Sequence, residues 1–178
     1  VQDNSGNTAT CSATVTVNDI TPPVAQCQNI TIPLNSAGNA VANAAAVNNG
    51  SSDACGIANL TLNQTNFTCA DVNGNPHTVT LTVTDANNNT ATCSATVTVL
   101  DNTPPTITCP DNISQNNDPG VCGAVVNFSP TVSDNCTYNV LAVPASGSLF
   151  SIGFTTVEIT ATDASGNTAT CDFMVRVN

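Results

Sequence analysis

Two residue types in this chain have the numbers and spacing to do chemistry: cysteine and aspartate. Nine cysteines occur among 178 residues. None forms a Cys-x-x-Cys pair, and none stands beside histidine at zinc-ligand spacing. The chemistry they predict is disulfide formation in an oxidising, extracytoplasmic setting. Acids number twelve against a single Lys or Arg, for a net charge of −11. Such a surface repels phosphate backbones, which argues against nucleic acid and anionic membrane as partners. It offers hard oxygen ligands to a divalent cation, above all Ca²⁺. The competing reading is a solvated, self-repelling surface on which Asp simply caps turns.

The inventory for catalysis is thin. There is one His (His77), one Arg (Arg176), one Glu (Glu158) and no Lys. No Gly-x-Ser-x-Gly or phosphate-binding loop is present. Paired carboxylates for glycoside cleavage need a positioned second acid, and the one Glu reads as outward-facing on a strand. His77 reads as a surface residue ahead of a strand, and Arg176 as exposed between Val175 and Val177. The chain is not expected to be an enzyme. No apolar run approaches 18 residues, so this segment carries no membrane-spanning helix pattern.

The elements that hold these residues are strands. Val79, Leu81 and Val83 alternate with threonines, as do Ala95, Val97 and Val99, and as do Val157, Ile159 and Ala161. That is the period of two of a half-buried strand. Turns rich in Asp, Asn and Gly join them, Asp85–Asn89 and Asp163–Asn167, which is a hairpin signal. One helical stretch is conceivable at Ala40–Val47. Its counterpart Gly123–Val132 contains Pro130 and several β-formers, so a strand is the stronger expectation.

The strands recur. Asn7-Thr8-Ala9-Thr10-Cys11-Ser12-Ala13-Thr14-Val15-Thr16-Val17 returns, letter for letter, as Asn89 to Val99, a period of 82 residues, and in a diverged form as Asn167 to Val177. The expected organisation is 1–20, the last strand and linker of a preceding truncated repeat; 21–102, one repeat; and 103–178, another. Cys27, Cys55 and Cys93 overlay Cys109, Cys136 and Cys171, and Cys122 falls on Val41. A partial repeat cannot bury its own apolar face, so the expectation is a window on a longer array. With 3% aromatics and no Trp, units of roughly 80 residues have marginal cores that need covalent staples.

Within 103–178, the run Cys109-Pro110-Asp111-Asn112-Ile113, then Gly120-Val121-Cys122, Asp134-Asn135-Cys136, Ile152-Gly153-Phe154-Thr155-Thr156-Val157 and Asp163-Ala164-Ser165-Gly166-Asn167 resembles the hyalin repeat, or HYR domain. The stretch 21–102 shares its ends but lacks the Cys-Pro pair and the Gly-x-Thr-x-Val segment, and is similar as a divergent relative. The resemblance implies an all-β fold of tandem immunoglobulin-like β-sandwich domains, disulfide-stapled, in extracellular cell-surface proteins such as the large repeat-containing adhesins of Bacteroidetes.

In a sandwich of this kind the first and last strands can run side by side in parallel. That favours the pairs Cys27–Cys93 and Cys109–Cys171 over Cys93–Cys109, because Cys93 starts a strand that carries the chain away. Cys55 is then left to pair with Cys69, and Cys122 with Cys136; Cys11 remains over. The same fold gathers Asp19, Asp53 and Asp85 at one pole, and Asp101, Asp134 and Asp163 at the equivalent pole of the next unit, as candidate Ca²⁺ ligands. The expected function is a semi-rigid spacer in a cell-surface adhesin or fibre, contacting neighbouring repeats of its own chain. The alternatives are a glycan- or surface-protein-binding module using 58–75 and 137–152, and a subunit of a polymerised filament whose first residues donate a strand. The several Asn-x-Ser/Thr triplets carry glycans only in a eukaryotic secretory route.

Overall fold

Alternation decides which side of each strand is buried. In the computed structural model, which describes residues 1–178, the inward positions Val79, Leu81, Val83, Val97 and Val99 have no exposed surface. The threonines between them face outward. A Thr/Val strand thus presents a dry face to one side and hydroxyls to water.

The first sandwich uses β1 (Ile30–Pro33), β2 (Asn39–Val41), β3 (Ile57–Leu62), β4 (Asn66–Thr68), β5 (His77–Asp85) and β6 (Thr90–Leu100). One sheet has the order β1-β6-β5-β3, and β2 pairs with β4 opposite it. The second sandwich uses β7 (Thr106–Thr108), β8 (Ile113–Gln115), β9 (Gly123–Val126), β10 (Thr131–Ser133), β11 (Tyr138–Val143), β12 (Ser148–Ser151), β13 (Gly153–Asp163) and β14 (Thr168–Val177). Its main sheet runs β11-β13-β14-β8, faced by the pairs β9-β12 and β7-β10. Each sandwich has its own core, one built around Phe67, Leu81 and Val47, the other around Ile159, Phe150 and Phe173. The fold is all-β and immunoglobulin-like.

Both hairpins are fixed by one local device. Asp85 Oδ1 accepts the N–H groups of Asn87 and Asn89, each at 2.8 Å, and Oδ2 accepts the Asn89 side-chain amide at 2.8 Å. Asp163 does the same with Ser165 and Asn167. Each turn is therefore held by its own side chains in addition to the pairing of the strands.

The alanine-rich stretch divides in two. Strand β2 ends at Val41, and one helical turn, α1 (Ala44–Val47), follows, capped by Asn43 Oδ1 accepting the Ala45 N–H at 2.8 Å. A cap plus three alanines suffices for a single turn, and Val47 anchors it in the core. The expectation of strand alone there is corrected.

Parallel pairing of first and last strands sets two disulfides. Ile30 lies opposite Val97 and Ile113 opposite Val175. Three residues before Ile30 and four before Val97 stand Cys27 and Cys93, and four before Ile113 and Val175 stand Cys109 and Cys171; the Cα separation is 5.8 Å in both bridges. Each ties the start of its sandwich to the neighbouring last strand of the same sheet.

Residues 1–20 keep only the local part of this design. Asp3 accepts the N–H groups of Ser5 and Asn7 and the Asn7 amide, repeating the hairpin turn. Beyond it Val15 and Val17 are 83% and 90% exposed, although their sequence counterparts Val97 and Val99 are wholly buried. Cys11 is exposed and unbonded.

Leu81 is wholly buried in the first core. Leu81→Ala is expected to destabilise the first sandwich by about 2–5 kcal/mol, visible as a lower urea midpoint with an unchanged slope.

Candidate functional site: the junction between the sandwiches

The junction begins where β6 ends. Asp101 follows Leu100 directly, is 5% exposed, and receives a hydrogen bond at its carbonyl from the Asn167 side chain, 3.0 Å away in the second sandwich's hairpin turn. Its Oδ1 accepts the Thr103 N–H at 3.1 Å, which turns the chain into Pro104-Pro105. Two prolines in sequence fix φ and restrict the residue before them, so this linker has little freedom.

The pole of the second sandwich then meets the end of the first. Asn135 Nδ2 donates to Asn35 O at 3.3 Å and to Asp101 Oδ1 at 3.2 Å. Gly38 lies at φ +72°, and a Cβ there would stand 2.6 Å from Asn135 O and 2.7 Å from Cys69 Sγ. Glycine is what allows the two backbones to approach this closely. Cys136, from the second sandwich, packs against the core of the first.

A covalent bond closes the contact. Cys69 is joined to Cys136 across the junction, with a Cα separation of 5.6 Å and a sequence separation of 67. This corrects the expected pairs Cys55–Cys69 and Cys122–Cys136: Cys55, Cys122 and Cys11 are unbonded and exposed. The reason is positional. Cys69 follows β4 at the end of the first sandwich that faces Asn135, whereas Cys55 lies in the turn after Asp53, beside Asp19.

Cys122 is also displaced from its sequence overlay. The buried pair Ala40/Phe67 in β2-β4 corresponds to the buried pair Ala124/Phe150 in β9-β12. Cys122, directly before β9, therefore corresponds to Gly38, directly before β2, and not to Val41. The loop ahead of β9 has one residue more than the loop ahead of β2: Asp118 N–H bonds Gly123 O, where Asn35 N–H bonds Asn39 O.

The expected Ca²⁺ ligands separate into two groups. Asp85 and Asp163 are buried but committed to their own turns, so neither joins the acidic clusters. Asp19, Asp53 and Cys55 do converge, each with a ligand atom within 4.8 Å of the others, as do Asp101, Asp134 and Cys136. In the second cluster the sulfur is used by the disulfide. Its oxygens are not used up: Asp101 Oδ2, Asp134 Oδ2 and Asn135 Oδ1 are all buried without a hydrogen-bond partner. Buried acceptors without donors are costly, and three at one junction are the donor set a hard cation takes. Asn135 is the residue that acid-spotting misses; the sequence signal for it was its place between Asp134 and Cys136.

At the other pole Asp19 affects a thiol. Hydrogen bonding from Cys55 to the Asp19 carboxylate, together with the negative charge of Asp19, raises the Cys55 pKa. The carboxylate stabilises the protonated thiol and disfavours thiolate, and only thiolate is nucleophilic. In the 178-residue chain the pH midpoint of Cys55 alkylation is expected above that of a free cysteine, and Asp19→Asn is expected to lower it. Iodoacetamide rates at several pH values, followed by peptide mass spectrometry, read the shift.

The few catalytic residue types are placed structurally. His77 Nε2 lies 2.6 Å from Asp71 O, and its ring packs 5.6 Å from Phe67. Arg176 stands over the ring of Phe154 at 5.4 Å. Glu158 is exposed on β13. No helix is long and apolar enough to cross a membrane.

Comparison with known proteins gives one family. Residues 100–177 match the model of the HYR domain. No curated protein matches the sequence. Among solved structures the chain is similar to extracellular cadherin domains 1–4 of protocadherin gamma B7, at 11% identity over 88% of this chain and 51% of that one, with a TM-score of 0.34. It is likewise similar to domains 1–3 of a mouse clustered protocadherin, at 14% identity over 88% and 68%, TM-score 0.35. Domains 1–3 of protocadherin gamma C5 align at 13% identity over the same shares, TM-score 0.38. The chain spans about half the length of the first of these.

Proposed function

We propose that this chain, in which residues 100–177 match the HYR domain, is a stretch of tandem repeats from a longer extracellular array, acting as a semi-rigid spacer in a cell-surface adhesin or fibre. The observation that carries this reading is the Cys69–Cys136 bond. A disulfide inside a domain protects that domain; one between domains fixes their relative position. Added to the Asp101 turn, the two prolines and the Gly38–Asn135 approach, it makes the junction stiff, which is what reach and load-bearing require. Three disulfides also support an oxidising compartment for the working chain. Stripped of sheet partners, the exposed Val15 and Val17 support a preceding unit that would cover them.

Mass spectrometry of the reduced polypeptide from its native source tests the array directly. A mass of several such units or more is expected; a mature chain of 178 residues would overturn it. Specific, saturable binding of the purified chain on a glycan array would instead favour a recognition module.

A second reading rests on the junction oxygens. Asp101, Asp134 and Asn135 are proposed to bind Ca²⁺, with water completing the shell. The ion would neutralise two carboxylates and add stiffness. Saturating Ca²⁺, at about 100 times its dissociation constant, stabilises by about 2.7 kcal/mol. The expected result is a melting temperature higher in Ca²⁺ than in EDTA, with the difference lost in Asp101→Asn/Asp134→Asn. Equal melting in both buffers for the unaltered chain rules the ion out.

A further inference from the structure

The bond between Cys69 and Cys136 has two matching halves that are left open at the outer poles of the molecule. At the pole of the first sandwich, Cys55 occupies the place that Cys136 holds in the second, and four surrounding hydrogen bonds recur; one difference is Ala54, which stands where Asn135 bonds Asp101 Oδ1. Cys55 N–H bonds Asp53 Oδ1 at 2.7 Å, as Cys136 N–H bonds Asp134 Oδ1 at 2.8 Å. Asn89 holds Asp19 O at 3.1 Å, as Asn167 holds Asp101 O at 3.0 Å. Thr21 N–H caps Asp19 Oδ1 as Thr103 N–H caps Asp101 Oδ1. Ala86 N–H reaches Gly56 O at 3.2 Å, and Ala164 N–H reaches Thr137 O at 3.2 Å. The incoming chain, the Asp-x-Cys turn and the hairpin are therefore arranged alike at both poles.

At the opposite end of the second sandwich, Cys122 occupies the place of Gly38, directly across the strand pair from the position that makes the bridge in the first. Gly38 and Cys69 sit beside the exit of β6, where Leu34 N–H bonds Leu100 O. Cys122 sits beside the exit of β14, where Asn117 N–H bonds Asn178 O. Extending the β2-β4 register by one step puts Gly38 opposite Cys69, and extending the β9-β12 register puts Cys122 opposite Ile152. The two sandwiches carry their end cysteine on opposite members of the same strand pair. Where the first has glycine facing cysteine, the second has cysteine facing isoleucine. Each end thus offers one thiol to the next unit.

We propose that Cys55 and Cys122 are the outward halves of the same inter-unit disulfide, Cys55 bonding the end cysteine of the preceding repeat and Cys122 bonding the Asp-x-Cys cysteine of the following repeat of one polypeptide. The inference rests on the array reading given above and adds a chemistry to it: every junction, not one, is cross-linked. Two thiols give up two protons and two electrons to a disulfide oxidant, such as oxidised glutathione or a thiol–disulfide oxidoreductase. That oxidant leaves as two thiols, and one S–S bond forms per junction. A continuing repeat is favoured over a second copy because residues 9–19 run into Asp19 at that pole, where a foreign unit would have to displace them.

The test is a disulfide map of the full-length polypeptide isolated from its producer, alkylated before any reduction and then digested. Cys55 and Cys122 should show complete loss of alkylation. The Cys122 peptide should be joined to a peptide containing an Asp-x-Cys turn from beyond residue 178, and the Cys55 peptide to one from before residue 1. Recovery of either cysteine as the alkylated thiol overturns the proposal. So does a Cys55–Cys122 bond between copies, seen as multimers on a non-reducing gel. The intact reduced mass separates the two levels of failure: a long chain with free Cys55 and Cys122 refutes the cross-links alone, and a short chain refutes the array.

Discussion

Replacing Cys109 and Cys171 together by serine is expected to leave the second sandwich unfolded at 37 °C while the first stays folded. The bond links residues 62 apart in sequence, and releasing a loop of that length gives the unfolded chain about 4 kcal/mol of conformational freedom in the chain-entropy model. That sum is close to the whole stability of a small domain. The second core is also lean: eight buried residues form it, of which only Phe150 and Phe173 are aromatic. Its partly buried supports include both cysteines of the bridge, so serine removes packing as well as the link. At about 4–8 °C per kcal/mol, the melting temperature should fall by roughly 20 °C. Limited proteolysis would show the asymmetry, with the cleavage that is new in the variant lying beyond Pro105 and residues 23–100 resistant. A variant melting within a few degrees of the parent would show that the core holds without its staple, contrary to the estimate from its composition.

How this fold could be seen beforehand, and where sight failed, follows from the range of the forces involved. Strand identity is local: Thr-Val alternation selects a face, and Asp85 to Asn89 closes a turn through its own side chains. Those features were legible, down to the hairpin repeated at Asp163. The partner of Cys27 was legible because two parallel strands of one sheet must lie in register. The partner of Cys69 was not. It is decided by how two separately folded bodies abut, which depends on the Asp101–Pro105 linker, on Gly38, and on a loop one residue longer before β9 than before β2. Periodicity carries none of this. A constant offset along the sequence placed Cys122 on Val41, three residues from its true counterpart, and made bonding within the unit look natural. The acids show the same division. Asp-rich turns were visible as a set, but burial and hydrogen bonding separate Asp85 and Asp163, spent on hairpins, from Asp101 and Asp134, whose outer oxygens stay unpartnered.

The junction bond carries the other large effect. Cys69→Ser/Cys136→Ser should turn two mechanically coupled sandwiches into two bodies joined by a short linker. With the bond intact, unfolding the first sandwich leaves its residue 69 tethered to a folded neighbour, a restriction worth about 4 kcal/mol in the same entropy model. Losing it lowers the first sandwich's transition more than the second's, because Cys136 and Cys69 both pack on the first core. Calorimetry should therefore resolve two transitions in the variant where the parent shows closer ones. Small-angle scattering should show a broader distribution of end-to-end lengths. The polar contacts that remain, Asn135 to Asn35 and to Asp101, are ordinary hydrogen bonds of about 1 kcal/mol each, too weak to hold one orientation. A scattering profile unchanged by the double substitution would mean that the prolines and the Gly38 approach alone set the angle, and that the disulfide serves durability rather than stiffness. Cys55→Ser/Cys122→Ser in the same 178-residue chain is the matched control. Both thiols are exposed and unbonded there, so neither the transitions nor the lengths should move, and any change seen with the junction pair belongs to the bond between the sandwiches.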